Sequence, residues 1–364
     1  MKTFSVKPQV RFDLHALDSL KDLPCKKFLI VTDPFMAKNH AVEKVVEQLP
    51  LHAESYVYTD VQPDPGQELV DRGIEFISNF QPEVVIAFGG GSAIDAAKAI
   101  IYLADQAGKC ARPLFIAIPT TAGTGSETTN FAVITRGSDK IVLIDDSMYP
   151  DIALLDEKFT KTVPPQVTVD TGIDVLTHAL EAYVATGANL FTDVLAEKAI
   201  ALVFRHLPIV FEDGLRMKSR KAMIEASCMA GMAFTNAGLG INHSLAHTVG
   251  GSFHVAHGRL NAILLPQVLS FNAEHSEEAS RKYAQLAKLL SVGENAKDFI
   301  DAYKSLANKL GIQKRLSDLE RIDKHAFESK VAEMAEVALR DRCTPANPCI
   351  CTKQDLVNLL RESL

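Results

Sequence analysis

The chain has 364 residues, room for two domains, with 38 Lys and Arg against 45 Asp and Glu, a formal net charge of −7 and 47% hydrophobic residues. Mild acidity without a dense basic run argues against a nucleic-acid partner, and no apolar stretch reaches the roughly 18 residues of a membrane span. The opening MKTFSVKPQVRF lacks an apolar signal core, and the six cysteines are expected as reduced thiols in a cytoplasm.

Residues 4–12 alternate loosely and predict an edge strand, Pro8 excluding a central place. The runs 27–32 (KFLIVT), 84–88 (VVIAF) and 114–118 (LFIAI) are short, continuous and apolar, as buried parallel strands are. A further strand is read at 53–58, and strand-like runs follow at 131–135, 140–144 and 152–155. Helical patterns at 38–48, 67–80 and 93–104 alternate with the first of these, which predicts an open α/β sheet over residues 1–160. After Pro164-Pro165 the period changes to helical: 173–184, 192–206, 219–234, 240–249, 260–272, 277–290, 296–310, 323–339 and 353–361. Residues 161–364 are therefore expected to form an all-α domain, with Gly250-Gly251 breaking or bending one of its helices.

Two loops and two histidine pairs carry the chemistry. Gly89-Gly90-Gly91-Ser92 follows a predicted strand and opens a helix, where backbone N–H groups and the helix dipole favour a phosphate. It is not the G-x-G-x-x-G fingerprint, and a plain tight turn fits it as well. The loop 120–126 (TTAGTGS) ends the next strand and would line the same crevice. Asp33, at the end of an earlier strand, suits a ribose 2′-OH, or equally an Asp-Pro turn. His243 and His247 are spaced i, i+4, as are Asp174 and His178, and His254 and His257 follow closely. Two helix faces offering imidazole and carboxylate suit a divalent transition metal, against the alternative of satisfied core histidines.

The stretches GGGSAIDAAKAI (89–100), PTTAGTGSE (119–127), GIDVLTHALEAY (172–183) and GINHSLAHTVGGSFHVAHG (240–258) together resemble the iron-dependent (group III) alcohol dehydrogenase family over almost the whole chain. The resemblance implies a Rossmann-like dinucleotide-binding domain followed by an all-helical metal and substrate domain, the dehydroquinate synthase-like architecture. It places the metal on Asp174, His178, His243 and His257, and the substrate and nicotinamide near His247, which could relay a proton. His254 receives no ligand role and is expected to line or pack near the site. On the cofactor side it points to Gly90, Gly91, Ser92 and Asp95 at the pyrophosphate, Thr120, Thr121 and Thr124 in the second loop, Lys140 near the ribose, and Asp33 as the group that prefers NAD(H) over NADP(H). The implied metal is Fe²⁺, with Zn²⁺ compatible with the same ligands.

Within the family, the wording around 119–129 and DRCTPANP (341–348) is closest to ethanol and 1-propanol dehydrogenases, including those of bacterial microcompartments and the alcohol dehydrogenase half of aldehyde–alcohol dehydrogenases. The expected reaction interconverts propanal or acetaldehyde and its primary alcohol. The alternatives are a diol, lactaldehyde or glycerol-type dehydrogenase of the same superfamily, a metallohydrolase, or a non-catalytic assembly subunit. A homodimer or higher homo-oligomer in the cytoplasm is expected, with no nucleic-acid or membrane partner. A microcompartment location and association with an aldehyde dehydrogenase are left open. Cys343, Cys349 and Cys351 depart from the pattern and are read as incidental thiols on a surface loop.

Overall fold

The structure, a computed structural model, describes residues 3–13, 15–137 and 139–364. Met1, Lys2, Leu14 and Ser138, which belong to the predicted first domain, lie outside the described residues. The chain divides into two compact units. One is Ser5–Thr162; the other is Val163–Leu364 with the N-terminal residues up to Phe4.

The first unit holds β1 (Gln9–Phe12), β2 (Lys27–Thr32), β3 (Glu54–Tyr58), β4 (Val84–Gly89), β5 (Leu114–Pro119), β6 (Phe131–Arg136), β7 (Asp139–Ile144) and β8 (Ile152–Leu155). Among the described residues, six of these form a parallel sheet in the order β1-β8-β5-β4-β2-β3. The continuous apolar runs follow from burial on both faces. Phe28, Ile30, Val84, Ile86, Phe88, Ile116 and Ile118 enter one core cluster, while Leu29, Val31, Val85, Ala87, Phe115 and Ala117 enter another. The strand predicted over 4–12 forms as the short edge strand β1. The runs at 131–135 and 140–144 stand apart from the parallel sheet: β6 and β7 make an antiparallel hairpin, with Gly137 left-handed (φ 64°) in its turn.

Helices α1 (Pro34–Lys38), α2 (Ala41–Val46), α3 (Gln67–Phe80) and α4 (Gly91–Gln106) complete the unit. The single helix expected over 38–48 is two short ones. It begins earlier because Asp33 caps Phe35 and Met36, and it breaks at His40, which is left-handed (φ 54°). The chain runs outward from β2 to β3, then returns to place β4 on the other side of β2. The order of the strands therefore reverses between β2 and β4, where Asp33 and the glycine loop emerge.

The second unit is helical: α5 (Pro165–Val184), α6 (Leu190–Glu212), α7 (Met217–Ala237), α8 (Ile241–Phe253), α9 (His257–His275), α10 (Glu277–Leu289), α11 (Ala296–Lys309), α12 (Lys324–Arg340) and α13 (Lys353–Glu362). Pro165 occupies the first position of α5, where its missing N–H costs nothing, so this helix starts two turns before the predicted 173. The expected break at Gly250-Gly251 does not occur. α8 passes through both glycines and stops at His254, whose left-handed conformation (φ 53°) ends it. Each glycine costs a helix about 1 kcal/mol, and the buried face of Ile241, Leu245 and Val249 holds α8 together across them.

Gly258, in the first turn of α9, lies so close to α5 that a Cβ there would run into the backbone carbonyl of Asp170. The buried ion pair between Arg259 and Asp170, at 2.6 Å, fastens the same crossing. Gly258→Ala is therefore expected to destabilise urea unfolding by about 1–3 kcal/mol. Gly251→Ala, where a Cβ meets nothing within 4 Å, is expected to be neutral or slightly stabilising.

Candidate active site

Helix α5 carries Asp174, His178 and Glu181 at i, i+4 and i+7, a single stripe of the helix. α8 contributes His243 in its first turn, and α9 begins with His257. Donor atoms of Asp174, His243 and His257 lie within 4.8 Å of one another. Asp174 Oδ1 is 3.8 Å from His243 Nε2 and 3.6 Å from His257 Nε2. His178 does not fall in that trio. It stacks on the His243 ring at 4.6 Å between centroids, and its Nδ1 is buried without a hydrogen-bond partner.

Burial lowers the pKa of His243, and desolvation by the groups crowded around it lowers that of His257, whose side chain is still 40% exposed. Asp174 opposes in both, and each ring in its neutral form keeps a lone pair for a metal. Burial acts to raise Asp174, but the attraction of positive charge on His178, His257 and His243 when they are protonated, and the hydrogen bond from the Asn261 amide, act to bring it below the usual carboxylate value. One ionised carboxylate among neutral imidazoles, all within reach of one point, fits a divalent transition metal.

Three residues not singled out from the sequence support these donors. A carboxylate oxygen of Glu181 bonds His243 Nδ1, which directs Nε2 toward Asp174; its other oxygen accepts from the Asn242 N–H at 2.7 Å. Burial pushes the Glu181 carboxyl up to about 7, against the backbone donors of Gly240, Asn242 and His243. Asn261, one turn after His257, donates to Asp174 Oδ1 at 2.7 Å and lies 3.1 Å from His257 Nε2 and 3.3 Å from His243 Nε2. Asn242 in turn donates to Asn261 Oδ1 at 2.9 Å, which orients that amide. Glu181 was legible as the third member of the α5 stripe; Asn261 and Asn242 carry no such signal.

His247 is stacked on His257, with ring centroids 5.2 Å apart, and its side chain is 41% exposed. Its Nδ1 meets Asp341 Oδ2 at 2.9 Å. Donor atoms of His247, Asp341 and Cys343 also gather within 4.8 Å. His254 is exposed, caps α8 in a left-handed conformation and accepts from Arg321 through its carbonyl. Cys343 and Cys351 are buried, contrary to the reading of surface thiols. Burial drives the Cys343 thiol far up, and lifts Cys349 to about 11 and Cys351 to about 12, so none is a thiolate at neutral pH.

On the first unit, Gly90 caps α4, and Gly91 and Ser92 form its first turn, two residues earlier than predicted. A Cβ on Gly91 would come within 2.8 Å of Thr124, and one on Gly90 within 3.4 Å of Thr121 Oγ1, so the two loops interlock. Thr120 is buried and its N–H bonds the Gly89 carbonyl at 3.0 Å. Asp33 spends Oδ1 on capping α1, while Oδ2 lies beside Gly89. Lys140 pairs with Asp64 at 2.6 Å on the surface.

Asp95 faces the second loop: it accepts from Ser126 Oγ at 2.6 Å and from the Val133 N–H at 3.0 Å. Beside it, Lys98 is fully buried and donates to the Ser126 carbonyl (2.6 Å), Thr129 Oγ1 (2.7 Å) and the Phe131 carbonyl (3.0 Å). Burial brings Lys98 down to about 8, with Asp95 and Glu127 opposing. This pair anchors the loop that carries Thr120–Thr124.

A transition-metal donor set together with an α/β sheet carrying glycine loops at its strand-order reversal defines a metal-dependent, dinucleotide-linked oxidoreductase. Residues 8–157 match the family description "Iron-containing alcohol dehydrogenase", and residues 168–364 match "Fe-containing alcohol dehydrogenase family, C-terminal". The chain is 41% identical to the 1-propanol dehydrogenase of Citrobacter freundii, covering 100% of both chains. It superposes on the iron-containing alcohol dehydrogenase of Thermococcus thioreducens with a TM-score of 0.94 and 31% identity, covering 99% of each. A sulfoacetaldehyde reductase of Bifidobacterium kashiwanohense in complex with NAD⁺ is similar at TM-score 0.90 and 26% identity, covering 100% of this chain and 98% of that one. The chain belongs to the iron-containing alcohol dehydrogenase family, and it is an oxidoreductase. Among the described residues no helix is long and apolar enough to cross a membrane.

Replacing Glu181 by Gln keeps the shape but weakens the hold on His243. Metal affinity is expected to fall about 10–100-fold, read by competition of Fe²⁺ or Zn²⁺ with a chelator.

Proposed function

We propose that this chain is an NAD(H)-dependent alcohol dehydrogenase that interconverts a short-chain aldehyde, propanal or acetaldehyde, with its primary alcohol. The observation that carries this reading is the buried Asp174 carboxylate surrounded by neutral His243 and His257, with His178 alongside. Those four residues would hold Fe²⁺, and residues 161–364 form the metal and substrate domain. Residues 1–160 form the cofactor domain, with Gly90, Gly91, Ser92, Thr120, Thr121 and Thr124 at the phosphates and Lys140 near the ribose. Asp95 serves that region by fixing the second loop. Asp33 favours NAD(H), since its free oxygen suits a ribose hydroxyl and repels a 2′-phosphate.

When bound, the metal supplies Lewis acidity toward the substrate oxygen and NAD(H) supplies or takes the hydride. The protein's own part is orientation and proton handling. Glu181 fixes the His243 ring before metal arrives, whereas the Asn261 amide, which lies against the same donor atoms, would turn aside as metal binds. His247, adjacent to His257 and open to solvent, takes the alcohol proton at Nε2 and returns it in aldehyde reduction. Full-length similarity to a 1-propanol dehydrogenase supports the substrate size. We propose also a homodimer or higher homo-oligomer in the cytoplasm. The resemblance to microcompartment propanol dehydrogenases supports a place in such a compartment beside an aldehyde dehydrogenase.

The test is NADH oxidation by anaerobically purified, metal-assayed protein against acetaldehyde, propanal, lactaldehyde and dihydroxyacetone. The proposal expects about one Fe²⁺ per chain, by the one-site donor geometry, and fastest turnover on propanal or acetaldehyde. His257→Ala should lose both metal and turnover; His247→Ala should keep metal and lose rate. Zinc with preference for dihydroxyacetone would move the chain to a glycerol-type activity, and metal loss in His247→Ala would refute the roles given.

A further inference from the structure

We infer that Asp341 is a positioning residue for the reaction: it fixes His247 in the tautomer that carries its proton on Nδ1, leaving Nε2 as the proton acceptor. This inference rests on the proton role proposed for His247.

The geometry is specific. Asp341 terminates α12 and accepts at Oδ2 from His247 Nδ1 at 2.9 Å. Its other oxygen accepts from the Cys343 N–H at 2.8 Å, and Ser244 Oγ stands 3.3 Å away. The side chain is only 16% exposed, so these donors replace water. Burial alone would raise the carboxyl, yet the hydrogen bond from His247 and those from the Cys343 backbone and thiol hold it below its usual range. An ionised carboxylate can only accept, so the imidazole nitrogen facing it must be the donor.

The constraint comes from two places in the chain. His247 and Ser244 lie on α8, and Asp341 and Cys343 follow α12. Thr344 Oγ1 bonds Ser244 Oγ at 2.8 Å and the Ala338 carbonyl at 2.6 Å, joining the two helices behind the carboxylate. Turning the His247 ring over would break its Nδ1 bond to Asp341, and its stacking on His257 sets its distance from the donor trio. Without Asp341 the ring would be free to adopt the other tautomer and to flip, and the fraction competent to accept a proton at Nε2 would drop.

The test compares Asp341→Asn, Asp341→Glu, His247→Ala and the double variant His247→Ala/Asp341→Asn as metal-loaded enzymes reducing propanal with NADH. Metal content and NADH affinity are measured on each. Asp341→Asn should lower kcat at least about tenfold, with metal content and NADH affinity unchanged, and Asp341→Glu should recover part of the loss. In the His247→Ala background, Asp341→Asn should have no further effect. An equal further loss in that background would make Asp341 a structural support and overturn the inference. So would full kcat in Asp341→Asn while His247→Ala is slow. Full kcat in His247→Ala would instead refute the proton role of His247, and this inference with it.

Discussion

The helical unit is arranged around one buried carboxylate. An isolated ionised Asp in a protein interior is strongly disfavoured unless donors or cations surround it. Asp174, 4% exposed, receives the Asn261 amide of α9 at 2.7 Å. His243 of α8 and His257 of α9 turn ring nitrogens toward it, so the balance of its charge suits a metal cation held among them. α9 approaches α5 this closely because Gly258 has no side chain where it meets the Asp170 backbone. The Arg259–Asp170 pair then sets the crossing one turn from Asp174. Packing and site chemistry are the same contacts seen twice.

The α/β unit meets a different requirement, which is backbone access at the ends of its strands. β4 and β5 are apolar because both faces of the sheet are covered, and their ends carry residues small enough to interlock: Gly90 and Gly91 against Thr121 and Thr124. A loop of threonines and glycines has little to hold it in place. Here the hold is the buried Lys98, which meets two carbonyls and two hydroxyls beneath the loop, and Asp95, which ties Ser126 to the start of the hairpin. Charged groups taken from water act as anchors, and the surface above stays free for a ligand.

Much of this was legible in the sequence. Apolar runs of five residues located β4, which ends in glycine, and β5, which ends at Pro119, and the change to a helical period after Pro164-Pro165 located the second unit. Local signals failed where tertiary contacts overrode them. Gly250-Gly251 reads as a helix break, but a helix buried along Ile241, Leu245 and Val249 tolerates both. The runs at 131–135 and 140–144 have strand character without any mark of direction, so their separation as a hairpin could not be read. The i, i+4 spacing exposed Asp174 with His178, and His243 with His247; continued to i+7 it reaches Glu181. Asn261 and Asp341 had no periodic signal, because each acts on a histidine supplied by packing. Asp341 lies 94 positions from its histidine.

The central claim is that Asp174, His178, His243 and His257 form the metal centre. The most direct measurement is an anomalous-difference map at the iron edge from crystals grown anaerobically with Fe²⁺. The account predicts a single strong peak bounded by those four side chains, with His178 Nε2 turned toward it. A peak shared instead by His247, Asp341 and Cys343, or iron bound without Asp174 among its ligands, would contradict it.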